Sequence, residues 1–326
     1  MSDDKAQIEK LHSFIKQSKR ILLSTHINPD GDGIGSGLAL VSKLTKMGKK
    51  VDFINRDMLP VMYKFLPGSA LVKSQKKIEG KYDLAIVLEC PELERNGNIV
   101  DYTIQSKITV NIDHHLGNTM YGDLNIVDPK AAAVGEQLYK IMKELCWEID
   151  ADVATCLYTA IVTDTGSFRY SNTTPETHII ASELLKEGAD PEFIASQVYA
   201  SSEEAVKLLN IMLSKMRVEG KIGYSYLTKR MFKDTGAIES ETDNFINSIR
   251  AIKTVETVML FKETGPSSVK VSFRSKGLAD VNMIARRFKG GGHKHAAGAV
   301  INLPIAKAIK TVLSEVRKYY RMKKAK

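Results

Sequence analysis

The sequence predicts an α/β fold: an N-terminal domain built on a parallel sheet, then a smaller C-terminal α/β domain with a mixed sheet. Three observations carry the prediction. In the first half, short apolar runs alternate with segments of helical periodicity, the pattern of a parallel sheet with crossover helices. Acids and histidines stand at the ends of several of those runs, where open parallel sheets bind ligands. The charge also changes sign along the chain. Residues 1–200 carry 22 Lys and Arg against 27 Asp and Glu, whereas residues 201–326 carry 25 against 11.

The first strand is Ile21–Ser24, followed by His26-Ile27-Asn28-Pro29-Asp30-Gly31-Asp32. Gly31-Asp32-Gly33 opens a helix whose apolar residues Ile34, Leu38, Val41, Leu44 and Met47 keep helical spacing. Gly48 and flanking lysines suit its end. Val51–Ile54 reads as the second strand, Leu84–Leu88 as the third, ending at Glu89, and Ile108–Ile112 as the fourth, ending at Asp113. Helices are expected over Ala131–Leu145 and Ala154–Val162, the latter delivering Asp164 and a Thr165-Gly166 turn, and from Pro175 to Gly188. Asp190-Pro191 and Ser201-Ser202 bracket a connection continued by a helix through Met216. Beyond it Ile222–Leu227, Val255–Phe261, Val269–Phe273 and Ala297–Ile301 read as strands, with Asp243–Ile252 and Leu278–Phe288 helical between them. The end, Arg321-Met322-Lys323-Lys324-Ala325-Lys326, reads as a basic tail.

Composition narrows the function classes. The 326 residues suit two domains, and 43% hydrophobic content suffices for packed cores. No apolar run approaches the ~20 residues of a membrane span. The acidic, polar start Met1-Ser2-Asp3-Asp4-Lys5 is unlike a secretory signal. Cys90, Cys146 and Cys156 form no zinc-type pair or disulfide framework, so a cytoplasmic location is expected. The acidic half suits cations. The basic half suits an anionic ligand such as nucleic acid, with a solvated lysine-rich surface as the plain alternative.

Four clusters carry candidate chemistry: His26 to Asp32, Glu89, Asp113-His114-His115 and Asp164. Each alone has an ordinary structural role, as turn, cap or polar loop. Together, at successive strand and helix ends, they suggest a two-metal hydrolase. Phosphoester hydrolysis loads charge on the attacking and leaving oxygens, and two divalent cations roughly 3.5–4 Å apart stabilise both. Several carboxylates are needed to offset the repulsion between the cations. Imidazoles add neutral ligands that favour Mn²⁺ or a similar metal.

These residues also carry a family resemblance. His26-Ile27-Asn28-Pro29-Asp30-Gly31-Asp32-Gly33-Ile34-Gly35-Ser36 resembles the first motif of the DHH phosphoesterase superfamily. Asp113-His114-His115 is similar to the motif that names it, and Val162-Thr163-Asp164-Thr165-Gly166 to its fourth motif. Gly290-Gly291-Gly292-His293-Lys294-His295-Ala296-Ala297-Gly298 resembles the signature of the DHH-associated domain. The motifs stand in family order over nearly the whole chain, and the compact nanoRNase/pAp phosphatase (NrnA-like) family is the group they resemble.

The resemblance implies roles. One metal would be held by His26, Asp30 and the second-motif acid, the other by Asp32, that same acid, His114 and Asp164. Asp32 would serve catalysis as well, and His115 would be a supporting or phosphate-facing catalytic group. The second motif normally carries Asp where this chain has Glu89, in Val87-Leu88-Glu89-Cys90-Pro91. Glu89 is the bridging candidate. Asp83 precedes the strand and would lie at the wrong end.

The C-terminal half supplies candidate substrate contacts. Gly290-Gly291-Gly292 permits close backbone approach, and successive amides can form an anion-binding nest. Val271-Ser272-Phe273-Arg274-Ser275 is a strand ending in a guanidinium, which can hold phosphate bidentately. The resemblance gives Arg274 the substrate phosphate. Ser275, Asn282, Gly291, Gly292 and His293 complete the expected substrate-binding set.

The expected division is 1–190 for the metal-binding catalytic domain, 191–216 for a connecting segment and helix, and 217–326 for the substrate-binding domain, with the active site in a cleft between them. The expected function is hydrolysis of very short oligoribonucleotides and of 3′-phosphoadenosine 5′-phosphate (pAp) with two Mn²⁺, Mg²⁺ or Co²⁺ being possible replacements. Expected partners are short RNA or a phosphorylated nucleotide, no membrane, and a second copy if the chain is a homodimer. The alternatives are a linear or cyclic dinucleotide phosphodiesterase and a nucleotide-binding sensor whose metal site is impaired at Glu89.

Overall fold

A computed structural model describes residues 3–74 and 80–324. The chain divides into two compact units, Met1–Ala200 and Ser201–Lys326.

In the first unit, α1 (Asp3–Gln17), β1 (Arg20–Ser24), α2 (Gly31–Lys46), β2 (Lys50–Asn55) and β3 (Val72–Ser74) lead to β4 (Leu84–Leu88) and α3 (Val100–Ile104). β5 (Thr109–Asp113), β6 (Leu124–Val127), α4 (Val134–Glu144), α5 (Ala151–Asp164), α6 (Pro175–Lys186) and α7 (Pro191–Val198) follow. The six strands pair in the order β3-β2-β1-β4-β5-β6, all parallel. All five residues of β4 and of β5 are buried, as central strands covered on both faces require. The order reverses direction between β1 and β4, and a parallel sheet opens a ligand crevice at the carboxyl ends of such a switch point. β1 leads there to His26 and β4 to Glu89. Asp83 lies at the opposite end, where it accepts the amides of Lys19 and Arg20 at 3.0 and 3.1 Å and Lys107 Nζ at 2.7 Å.

The second unit runs α8 (Glu203–Ser214), β7 (Arg217–Glu219), β8 (Ile222–Leu227), α9 (Lys229–Thr235), α10 (Phe245–Arg250), β9 (Thr257–Gly265), β10 (Ser268–Ser275), α11 (Val281–Arg286), β11 (Gly291–His293), β12 (Ala296–Ile301) and α12 (Ile305–Lys324). Its sheet is mixed, in the order β11-β12-β10-β9-β8-β7, with only the β8–β9 pairing parallel. The alternation of β9 divides the core. Met259 and Phe261 pack with Val312 and Val316 of α12, while Val258 and Leu260 pack with Leu208 of α8 and Ile249 of α10.

Several expectations need correction. The first sheet has two more strands than the periodicity showed, because β3 and β6 span three and four residues and are too short to display a period. The three-residue β7 and β11 are hidden for the same reason, and α9, seven residues long, completes too few turns to display a helical period. The supposed basic tail is, through Lys324, the last turn of α12. Lysines on its outer face mask the buried row Ala308, Val312, Val316 and Tyr319. Helix α1 was also unread, although Leu11 and Ile15 are buried. No described helix is long and apolar enough to cross a membrane.

Candidate metal centre

The switch point gathers the candidate ligands. His26 Nδ1 lies 2.7 Å from Ile27 O. A carbonyl only accepts, so Nδ1 carries the proton and the lone pair of the neutral ring sits on Nε2. That nitrogen faces Glu89 Oε2 at 3.4 Å and Asp30 Oδ2 at 3.9 Å. His114 repeats the device, with Nδ1 3.2 Å from Ala131 O and Nε2 3.8 Å from Asp32 Oδ2 and 3.7 Å from Asp164 Oδ2. Fixing one ring nitrogen on a carbonyl to present the other is how proteins orient metal-binding imidazoles.

Each acid is placed by local structure. Asp30 caps α2, its Oδ1 accepting the amides of Asp32 and Gly33 at 3.0 and 3.2 Å. Asp32, fully buried one turn on, accepts Val134 N at 2.6 Å, Gly135 N at 2.9 Å and Ser36 Oγ at 3.0 Å. The start of α4 has no side-chain cap of its own, so Asp32 serves as its anion. Burial, with Asp30 adding to it, pushes Asp32 up to about 6 against His114 and the two amides. Asp164 ends α5, where a carboxylate meets the negative end of the helix dipole, a position a cation would relieve. Asn172 Nδ2 holds its Oδ2 at 3.3 Å.

Glu89 follows β4 directly with φ of +52°, a backbone conformation uncommon for glutamate. It is buried, and among the described residues its Oε2 has no hydrogen-bond partner. Burial, then the charges of Asp30 and Asp32, raise its pKa well above the ordinary value. Gly33 makes the room, since a Cβ there would lie 2.9 Å from Glu89 Oε2. Asp113, first residue of its motif, is engaged elsewhere. Its Oδ1 accepts His115 Nδ1 at 2.7 Å and His114 N at 2.8 Å, and its Oδ2 accepts Asn118 Nδ2 at 2.6 Å. Burial would raise this acid, but the His115 and Asn118 donors outweigh it and bring it down to about 2.

Three triads result, each with ligand atoms within 4.8 Å of one another: His26–Asp30–Glu89, Glu89–His114–His115 and Asp32–His114–Asp164. All six expected ligands therefore converge. Two details differ from expectation. Glu89 stands with His26 and Asp30 and with the two motif histidines, but not in the Asp32–Asp164 triad. His115 stands in a triad itself. Mixed imidazole and carboxylate donors, and a buried carboxylate oxygen lacking a donor, fit divalent cations.

Close helix contact brings Asp164 to Asp32. A Cβ on Gly31 would collide with the Thr163 side chain, and one on Gly35 with the backbone carbonyl of Cys156, so α2 lies directly on α5. Gly35→Ala is expected to force the helices apart at a cost of ~1–3 kcal/mol and to weaken Mn²⁺ binding. Thermal denaturation and a metal titration would check this; unchanged Mn²⁺ affinity would refute it.

In the second unit, register places Arg274 beside Ala296 and Ala296 beside His293, so the arginine and the histidine share one row across the sheet. The side chain of His293 lies outside the described residues. The glycine run is an edge strand rather than an open nest: a Cβ on Gly292 would lie 2.5 Å from Ala296 O, where φ is +141°, and one on Gly290 would collide with Gly298 O. Asn282 Oδ1 is buried, has no partner among the described residues and lies beside Gly291. Ser275 is buried with its hydroxyl engaged, donating to Ala279 O at 2.7 Å and meeting His295 Nδ1 at 2.9 Å, so it holds the turn after β10. Arg287, which caps the end of α11, pairs with Glu315 at 2.7 Å. The orienting residues Asn118, Asn172 and Ser36 were not foreseen, since isolated polar residues carry no periodic signal.

Fold and site define an α/β protein with a candidate dinuclear metal centre at the switch point of a parallel sheet and a separate mixed-sheet unit. The family model described as DHH family, N-terminal domain matches residues 20–161, and the DHHA1 domain model matches residues 219–322. The chain is 33% identical over 298 residues to the bifunctional oligoribonuclease and PAP phosphatase NrnA of Thermus thermophilus, covering 91% of this chain and 89% of that protein. It is 29% identical over 290 residues to the protein of the same name from Bacillus subtilis, covering 86% of this chain and 89% of that one. An exopolyphosphatase-related protein from Bacteroides fragilis superposes with a TM-score of 0.91 at 28% identity, covering 97% of each chain. The chain belongs to the DHH phosphoesterases and, among them, to the NrnA family.

Proposed function

We propose that this chain is a metal-dependent phosphoesterase that hydrolyses very short oligoribonucleotides and pAp, working with Mn²⁺ and accepting Mg²⁺ or Co²⁺. One observation carries the reading: three linked triads of acids and imidazoles at the sheet switch point, in a chain whose relatives are named oligoribonuclease and PAP phosphatase. His26, Asp30 and Glu89 would hold one cation, and Asp32, His114 and Asp164 the other. When bound, such a pair supplies positive charge to the oxygens of a phosphoester and acidifies water.

The protein's own groups do the rest. Asp113 accepts the Nδ1 proton of His115, which leaves the lone pair of Nε2 to take a proton from the attacking water. In the second unit, Arg274 binds a substrate phosphate, supported by Asn282 and by the backbone of Gly291, Gly292 and His293. Ser275 positions that group. Aromatic content of 7% leaves little for stacking a long strand, which favours short substrates.

The test is an Mn²⁺ activity panel over pAp, linear and cyclic dinucleotides, RNAs of about two to five nucleotides and a 24-mer, the last as a stacking-dependent control. Turnover on pAp and the shortest RNAs, abolished by chelation, is the expected result. Preference for the long strand, or for cyclic dinucleotides over both, would defeat the reading.

A further inference from the structure

The metal centre leaves one nearby cation unexplained. Arg95 lies in the short 3₁₀ segment Leu93–Ile99 that follows β4 and Glu89. This segment is tied to the carboxyl end of β1 next to His26. Arg95 O accepts Ile27 N at 2.7 Å, and buried Asn96 donates through Nδ2 to Ser24 Oγ at 2.7 Å and Thr25 O at 2.9 Å. Gly97, with φ of +69°, closes the contact, since a Cβ there would lie 3.0 Å from Ile27 Cγ2. The backbone of Arg95 is therefore held at the rim of the candidate site, with the side chain half-exposed.

Among the described residues the Arg95 guanidinium makes no ion pair and no hydrogen bond, although Asp30, Glu89 and Asp113 all belong to the same end of the sheet. An arginine anchored so close to carboxylates ordinarily forks onto one of them. Charge counting says what this one is for. The triads contain four carboxylates, Asp30, Asp32, Glu89 and Asp164, which two divalent cations would neutralise. An incoming phosphate then adds negative charge that nothing in the centre offsets, and it adds more in the transition state.

We infer that Arg95 is the phosphate-gripping cation of the first unit, donating to a nonbridging oxygen of the reacting phosphate. The inference rests on the phosphoesterase reading above and adds a catalytic residue outside the metal-ligand set.

The test uses the full chain with Arg95→Ala, Arg95→Gln and Arg95→Lys, the last two guarding against a folding defect in the first. Two quantities are read: calorimetric binding of inorganic phosphate to the Mn²⁺-loaded protein, and kcat/KM on pAp. With Mn²⁺ affinity unchanged, Arg95→Ala and Arg95→Gln should weaken phosphate binding about 10-fold or more and lower kcat/KM by about 100-fold, as loss of one charge-stabilising donor does. Arg95→Lys should recover part of both, because it keeps the charge without the fork. Phosphate affinity within about twofold of the parent, taken as no significant change, overturns the inference. So does loss of Mn²⁺ binding, which would make Arg95 a support of the metal site. Phosphate binding decides the matter even if the parent turned over none of the panel, an outcome that would sink the phosphoesterase reading alone.

Discussion

Glu89→Ala is expected to abolish metal-dependent turnover, by about 10³-fold or more, because the shared carboxylate between two triads is lost and electrostatic stabilisation goes with it. Glu89→Asp is expected to retain or raise activity. Aspartate tolerates the left-handed backbone at this position better than glutamate does. It also restores the residue that the second motif ordinarily carries. Glu89→Gln separates function from stability. It keeps the shape, removes a buried negative charge from beside Asp30 and Asp32, and should lose activity while making the metal-free protein more stable. The gain should be absent near pH 4, where Glu89 is protonated in both folded and unfolded chains. It should grow by up to about 1.4 kcal/mol per pH unit above the unfolded pKa, until the raised folded pKa is passed. Urea unfolding of the two metal-free proteins at pH 4 and pH 7, beside an activity assay, checks both halves. Full metal-dependent activity in Glu89→Ala would remove Glu89 from the site.

Metal removal should expose the cost of the whole carboxylate cluster. Asp32, with its folded pKa raised to about 6, contributes stability that is complete below its unfolded pKa and lost as pH rises through the folded one. That single group accounts for about 2 kcal/mol between pH 4 and pH 7, and Glu89 acts in the same direction. The metal-free protein should therefore lose this contribution as pH rises through 6. Saturating Mn²⁺ should reverse the loss, adding about 4 kcal/mol at a thousandfold excess over Kd. His114 sharpens the effect. Burial favours its neutral ring, but Asp164, Asp32 and Asp113 outweigh burial and raise its pKa, so binding must release a proton. The checks are unfolding curves with and without Mn²⁺ from pH 4.5 to 8 and calorimetry in two buffers of different ionisation enthalpy. Equal Mn²⁺ stabilisation at pH 5 and pH 7.5 would contradict the account.

Much of the candidate site was legible because its residues sit in contiguous runs. His26 to Asp32 combines a strand end, a cap and a helix first turn, so residue type and local geometry point the same way. Asp164 was legible from the end of a helical period. The short strands β3, β6, β7 and β11 were not, since three or four residues show no alternation. Neither was α12, whose outer lysines dilute an otherwise regular apolar row. The glycine run pointed to close approach, but the contact partner proved to be the backbone of the adjoining strand.

The chain's own order of residues determined which acids and imidazoles exist, that they stand at element ends, and that two α/β units carry opposite charge. Those properties are local and additive along the sequence. Only the tertiary structure decided which of them meet. Strand order β3-β2-β1-β4-β5-β6 makes Glu89 a neighbour of His26, and the glycine contact of α2 with α5 sets Asp164 beside Asp32. Asp32 also caps a helix start 102 residues away. Adjacency of that kind comes from pairing and packing between distant segments, and no window of sequence contains it.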